Sequence, residues 1–152
     1  MQHNLTIRDY GEADYGILKT MMLGLVQDDN DDHGYEMSES QILQTVQRSV
    51  SHPEQLQIKI FAIENAVAGY ALLTFYWSNE HGGIVVLLDE LYILPNFRGR
   101  RIGTQFIEQL AENKAYAAIR LEVFKKNDKA LQLYKRLGFE IVERHFMDKG
   151  VR

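Results

Sequence analysis

The chain contains no cysteine, an absence that removes disulfides, thiolate metal sites and any reaction that passes through a cysteine nucleophile. Proline is scarce as well: its 2 prolines exclude a proline-rich or collagen-like chain. No stretch approaches the roughly 18 apolar residues of a membrane-spanning helix, and Met1-Gln2-His3-Asn4-Leu5 lacks the basic-then-apolar order of a secretory leader. The expectation is a cytoplasmic protein with no membrane partner. Positive charge is outnumbered, with 17 Lys+Arg against 21 Asp+Glu and a net charge of -4, so general nucleic-acid binding is not expected. The histidines His3, His33, His52, His81 and His145 are scattered, with no pair at the i,i+4 spacing that lets two rings share an ion. No metal site is expected.

What is present describes a folded chain. Its 152 residues are 45% hydrophobic and 25% charged, the size and balance of a single domain spanning 1–152. Leu5 and Ile7 open a short strand. From Glu12 to Gln27, Ile17, Leu18, Met21, Met22 and Leu25 recur at helical spacing. Asp28, Asp29, Asp31 and Asp32 crowd like charges together and predict an exposed loop through Gly34. Ser38-Glu39-Ser40-Gln41 has capping-box spacing ahead of Ile42, Leu43, Val46 and Val50. Strands are predicted at Leu56 to Ile63 and Val67 to Trp77, joined by a turn at Glu64-Asn65, and at Ile84 to Leu94. A helix follows Pro95–Arg101, then a strand from Ala118 to Phe124, a helix from Asp128 to Leu137, and a closing strand from Phe139 to Met147. The order is mixed α/β, with helices covering a sheet.

Two segments carry the chemistry. The first runs from Leu91 through Pro95-Asn96-Phe97-Arg98-Gly99-Arg100-Arg101-Ile102-Gly103-Thr104, a buried strand feeding an Arg/Gly loop straight into a helix. Free amides and the helix dipole converge there on one point, which suits an anion such as a pyrophosphate, and Gly99 and Gly103 permit close approach. No Gly-Lys-Ser/Thr follows, so it is not a Walker loop. The second segment runs from Asn127 through Ala130, Tyr134, Gly138 and Phe139.

In this order and spacing the two segments resemble the GCN5-related N-acetyltransferase (GNAT) superfamily. Arg98 and Gly103 match its Gln/Arg-x-x-Gly-x-Gly/Ala loop, and Asn127, Ala130, Tyr134, Gly138 and Phe139 its Asn-x-x-Ala…Tyr…Gly-Phe segment. Arg101 stands where the family's loop usually has its first glycine; a helical φ with the guanidinium outward or on a phosphate is expected to avoid the strain of a positive φ. The resemblance implies a mixed, mostly antiparallel sheet of six to seven strands flanked by about four helices. It implies acetyl-CoA as acyl donor, with no metal. The amides of Arg98, Gly99, Arg100, Arg101, Ile102, Gly103 and Thr104 would hold the pyrophosphate, and Leu91, Ile93 and Asn127 the pantetheine arm.

The implied activity is acetyl transfer to a primary amine by direct attack in a ternary complex; the alternative is a catalytically silent acyl-CoA-binding module. An alkylamine is mostly protonated at pH 7, so a base is needed. Asp89 and Glu90 are the two acids inside the apolar strand, where desolvation raises a carboxyl pKa. Strict alternation turns them to opposite faces, so only one points into the cleft; this strand often carries a bulge in the family the chain resembles, so register does not select between them, and Glu90 is the first choice, then Asp89, with ordered water as a third route. Tyr134 would hydrogen-bond the developing sulfur charge. The acceptor is a small-molecule or peptide amine; the four aspartates at 28–32 would favour a cationic one through steering. A homodimer is compatible with the resemblance.

Overall fold

The computed structural model describes residues 4–33 and 36–152, with the side chains of 29–33 outside the described set. It divides into two compact units, 1–122 and 123–152.

The first unit is built on a five-stranded sheet of order β1-β2-β3-β4-β5, comprising β1 (Leu5–Asp9), β2 (Leu56–Ile63), β3 (Ala66–Ser78), β4 (Gly83–Ile93) and β5 (Tyr116–Leu121). Neighbours pair antiparallel except β4 and β5, which are parallel. A parallel pair needs a crossover, and α3 (Ile102–Ala111) provides it. The β2–β3 hairpin turns at Glu64 and Asn65, both at positive φ, the geometry that matches the twist of a tight hairpin.

Helices cover both faces. Leu18, Met21 and Met22 of α1 (Tyr15–His33) and Ile42 and Val46 of α2 (Glu39–Ser51) join Ile58, Ile60, Tyr70, Leu72 and Tyr92 in one core. Adjacent strand residues point to opposite faces, so Phe61 lies on the other side, where its ring meets Phe106 of α3 at 5.0 Å. The capping box before α2 is formed: Ser38 Oγ accepts from Gln41 N–H, and Gln41 accepts from Ser38 N–H. An ion pair between an exposed arginine and a buried carboxylate ties β1 to the start of the first helical segment. Arg8 donates to both oxygens of Asp14 at 2.6 and 2.8 Å, and Gly11 N–H adds a third bond. These bonds hold the Asp14 carboxyl below its ordinary range.

In the second unit, α4 (Asp128–Arg136) ends in a Schellman motif. Phe139 N–H reaches Tyr134 C=O, Gly138 N–H reaches Lys135 C=O, and Gly138 sits at φ +91. The Phe139 ring folds back edge-on to Tyr134 at 5.7 Å, the apolar contact that accompanies this cap. The spacing Tyr134…Gly138-Phe139 therefore has a local structural reason.

Three expectations are corrected. The acidic run does not stop the first helix: α1 continues to His33, because like-charge neighbours on an exposed helix cost only about 0.2–0.5 kcal/mol per pair. The side chains of Asp29, Asp31 and Asp32 lie outside the described residues. The strand count among the described residues is five, not six to seven, and Phe139 to Met147 forms no ladder. Arg144 N–H turns back to Val142 C=O, which breaks the extended run, and Phe146 and Met147 are 84% and 88% exposed. Lastly, Arg101 adopts the left-handed φ of +60, since the loop reverses sharply into α3; an L-residue there costs about 1 kcal/mol. No helix among the described residues is long and apolar enough to cross a membrane.

Candidate active site

The pairing of β4 changes along its length. Ile84 to Leu88 have β5 on one edge, and the last paired position is Leu88 with Leu121. Beyond it β4 continues to Ile93 with β3 as its one strand neighbour among the described residues. Leu94 N–H bonds Ala68 C=O, so the period-two alternation of a strand turns the main-chain groups of Leu91 and Ile93 to the edge away from β3. This is a short open edge on which Leu91 N–H and C=O and Ile93 N–H face a ligand, while Ile93 C=O already accepts from Arg98.

The chain then reverses through Pro95–Phe97 and Gly99, at φ +78, into α3. No side chain of the N-cap residue Arg101 caps that helix. The first-turn amides of Ile102, Gly103 and Thr104 keep their helix-start polarity for an anion. Ile102 and Thr104 are buried, which anchors the turn. Gly103 lies against β4, where an added Cβ would come within 3.3 Å of Leu91 Cδ2. The arrangement fits a ligand that combines an anionic group with an amide-rich arm.

The arginines are less free than their sequence suggests. Arg98 donates from Nε to Ile93 C=O at 2.9 Å and from Nη2 to Asp28 at 3.1 Å, and its guanidinium lies 5.3 Å from the Tyr92 ring centre. Its side chain braces the turn; its position in the loop belongs to the main chain. The approach of α1 makes this contact. Gly24 lets the helix close on Tyr92, whose Oη would sit 2.7 Å from an added Cβ, and Asp28 follows one helical turn later. Arg100 bonds Asn96 C=O and stacks on Phe97. Arg101 is 3.8 Å from Glu108, both exposed.

Between the paired and free parts of β4 lies a bulge. Leu73 faces Leu88 and Leu72 faces Glu90, leaving Asp89 as the extra residue. Strict alternation therefore does not carry across it, so the alternation argument no longer assigns Asp89 and Glu90 to opposite faces. Glu90 accepts a 2.7 Å bond from the hydroxyl of Tyr70, a fully buried residue. Asp89 is more open by surface area, yet desolvation by the surrounding apolar strand pushes its carboxyl pKa up.

Asn127 and Tyr134 belong to the second unit. Asn127 caps α4, its side-chain oxygen accepting from Ala130 N–H at 3.2 Å, and its amide N–H groups remain donors. Burial raises the Tyr134 phenol pKa, so it is a neutral hydrogen-bond donor near pH 7. Sequence reasoning missed Tyr70, Asp28 as the partner of Arg98, and Arg120, whose guanidinium meets Tyr76. These partners lie 20, 70 and 44 positions apart, and no local spacing announces such pairs. Among the described residues no group of three or more His, Asp or Glu could hold a metal ion.

The acetyltransferase (GNAT) family model matches residues 19–139. The mouse thialysine N-epsilon-acetyltransferase is 43% identical over 75 residues, covering 47% of this chain and 44% of that protein. The chain thus spans less than half the length of the curated relatives it matches. A possible acetyltransferase from Clostridium difficile 630 superposes with a TM-score of 0.82 at 16% identity, covering 97% of this chain and 98% of that one. The aminoglycoside N-acetyltransferase AAC(6')-Iy, solved with CoA, superposes at 0.73 with 19% identity, covering 100% of this chain and 98% of that one. At these identities the superpositions show the fold.

Proposed function

The chain belongs to the acetyltransferase (GNAT) family, and from that premise we propose that it transfers an acetyl group from acetyl-CoA to a primary amine by direct attack in a ternary complex. The observation that carries the proposal is the uncapped start of α3 beside the free edge of β4. One feature suits a pyrophosphate and the other an amide-rich arm. In this reading the amides of 98–104 hold the pyrophosphate, Leu91 and Ile93 pair with pantetheine, and Asn127 adds a side-chain contact. When bound, acetyl-CoA supplies a thioester carbonyl activated toward nucleophiles.

The protein's own task is then to manage two protons. As the amine nitrogen bonds to the carbonyl carbon and the carbon–sulfur bond breaks, one amine proton must leave and the sulfur departs as thiolate. We assign the base to Asp89. Its raised carboxyl pKa lies closer to working pH, where a base is most effective. Glu90, oriented by Tyr70, shapes the charge around it, and proton passage through water is compatible with both. Tyr134, kept neutral, donates a hydrogen bond to the sulfur as charge develops and so acts most strongly in the transition state.

The acceptor in this reading is a small-molecule amine, consistent with relatives described as thialysine and aminoglycoside acetyltransferases. Action in the cytoplasm and assembly as a homodimer are parts of the same proposal, tested by cell fractionation and sedimentation. The primary experiment is a thiol-release assay across amine classes. Acceptor-dependent release of CoA supports the enzyme. Acetyl-CoA binding with no release on any amine assigns the chain to the catalytically silent class.

A further inference from the structure

The open edge of β4 ends at a carbonyl that is already taken. Main-chain groups facing away from β3 recur at every second residue, so Leu91 and Ile93 carry them, while Leu94 N–H is spent on Ala68 C=O. Of the N–H and C=O groups at these two positions, Ile93 C=O accepts from Arg98 Nε at 2.9 Å. A ligand lying along the edge therefore meets Leu91 N–H, Leu91 C=O and Ile93 N–H. Its own N–H donors have one open carbonyl between these two residues, that of Leu91.

The blocking side chain is fixed from several directions. Arg98 Nη2 donates to Asp28 of α1 at 3.1 Å, and the guanidinium lies 5.3 Å from the ring centre of Tyr92, a buried residue. The guanidinium is a planar fork of donors, so one arginine bonds the strand carbonyl and the helix carboxylate at once. Its bond to Ile93 closes a loop of only five residues. It forms with the turn itself, and a ligand must displace it to reach that carbonyl.

Building on the acetyltransferase reading, we propose that the Arg98 side chain sets the register in which the pantetheine arm pairs with β4. The amides of the arm are joined by flexible methylenes, and a pyrophosphate at the start of α3 fixes one end of it alone. Pairing positions along a strand edge repeat every two residues, about 7 Å. With Ile93 C=O open, an arm N–H would have a carbonyl to stop at one such step short of Leu91. With that carbonyl taken, the N–H goes on to Leu91 C=O and carries the thioester toward the bulge at Asp89. Arg98 is thus a positioning residue: it acts through a main-chain carbonyl and not on the reacting atoms.

The experiment separates grip on the donor from placement of its thioester. Arg98→Leu is compared with the wild-type protein by Kd for acetyl-CoA, by kcat on the amine that turns over fastest, and by inhibition with ADP, which has a pyrophosphate but no arm. Loss of the register bond is expected to lower kcat by roughly tenfold or more, the scale at which a misplaced reacting group loses rate. Kd for acetyl-CoA and Ki for ADP should each stay within about fivefold, the scale of one hydrogen bond. Arg98→Gln, whose amide keeps an N–H donor, should recover part of kcat, and Asp28→Asn, which leaves the Nε bond in place, should keep kcat near the wild-type value. In a crystal of the wild-type protein with CoA, an arm N–H should lie on Leu91 C=O with Arg98 still on Ile93 C=O. Unchanged kcat in Arg98→Leu, or a Ki for ADP that rises in step with the loss of kcat, reduces Arg98 to a brace of the turn and overturns the register role. So does a CoA complex in which the arm has displaced Arg98 from Ile93. Each of these results leaves acetyl transfer intact. A wild-type protein that binds acetyl-CoA yet releases no CoA on any amine overturns the enzyme reading instead, and the CoA complex then decides the register by itself.

Discussion

The free edge of β4, proposed above to take the acetyl donor, and the α1/α2 face of the sheet use the same strand in opposite ways. Along its free edge β4 offers main-chain groups, continued by the first-turn amides of α3, and side chains there serve mainly to brace the turn. On the α1/α2 face, β3, β4 and β5 present side chains instead: Tyr70 on Glu90, and Tyr76 with Arg120. A site made of backbone tolerates many side chains but depends on conformation and close approach. A site made of side chains reverses both dependencies.

The contrast predicts a graded series of effects. Asp89→Asn should be the largest, lowering kcat at neutral pH by roughly 100-fold or more, within the range of a general base. Because the Asp89 pKa is raised, its carboxyl is protonated and inactive below that pKa, so the wild-type rate should fall as pH drops through it. The limb should vanish in Asp89→Asn, and a pH–rate profile checks this; a matching loss in Glu90→Gln alone would transfer the role. Next is Gly103→Leu, whose side chain has Leu91 within 3.3 Å of its Cβ. Acetyl-CoA at about 100 times its Kd should stabilise the wild-type fold by about 2.7 kcal/mol, and this substitution should erase the shift in a thermal melt.

Two smaller effects sharpen the comparison. Asp14→Asn lies outside both sites and should cost about 2 kcal/mol of stability, since it removes the charge of a buried acceptor that takes bonds from Arg8 and from Gly11 N–H. The Asp14 pKa is lowered in the folded state. Its contribution is therefore complete above the ordinary aspartate pKa and lost as pH falls through the lowered one. Denaturant unfolding at neutral and acid pH should show the wild-type protein approaching the variant at low pH. The smallest effect is expected for Asp28→Asn. Its pair with Arg98 is exposed on both sides, and such pairs contribute about 0.2–1 kcal/mol, so calorimetry should find acetyl-CoA affinity weakened no more than about fivefold.

The same contrast explains what could be read from the sequence. The donor edge occupies one continuous segment, Leu91 to Thr104, so order and spacing alone suggested both strand and helix start. Ser38-Gln41 and Glu64-Asn65 were legible because caps and tight turns are local. The continuation of α1 past Gln27 was not, because charge repulsion on a solvated helix is too weak to end it. The positive φ of Arg101 was hidden by its side chain, which signals cost but not what the turn demands. Tyr70, Asp28 and Arg120 come to their partners only through sheet register and helix packing, which a linear pattern does not encode. The apolar alternation from Phe139 to Met147 read as a strand, yet a strand also needs a neighbour to bond.

The central claim is tested most directly by incubating the protein with acetyl-CoA and a panel of amines, then measuring free CoA thiol and the mass of the amine together. The account predicts stoichiometric release of CoA and formation of an acetyl-amide on the acceptor nitrogen, both dependent on the amine and both strongly reduced in Asp89→Asn. Thiol release that is the same with and without any amine, or an amine panel recovered without an acetyl group, would contradict it.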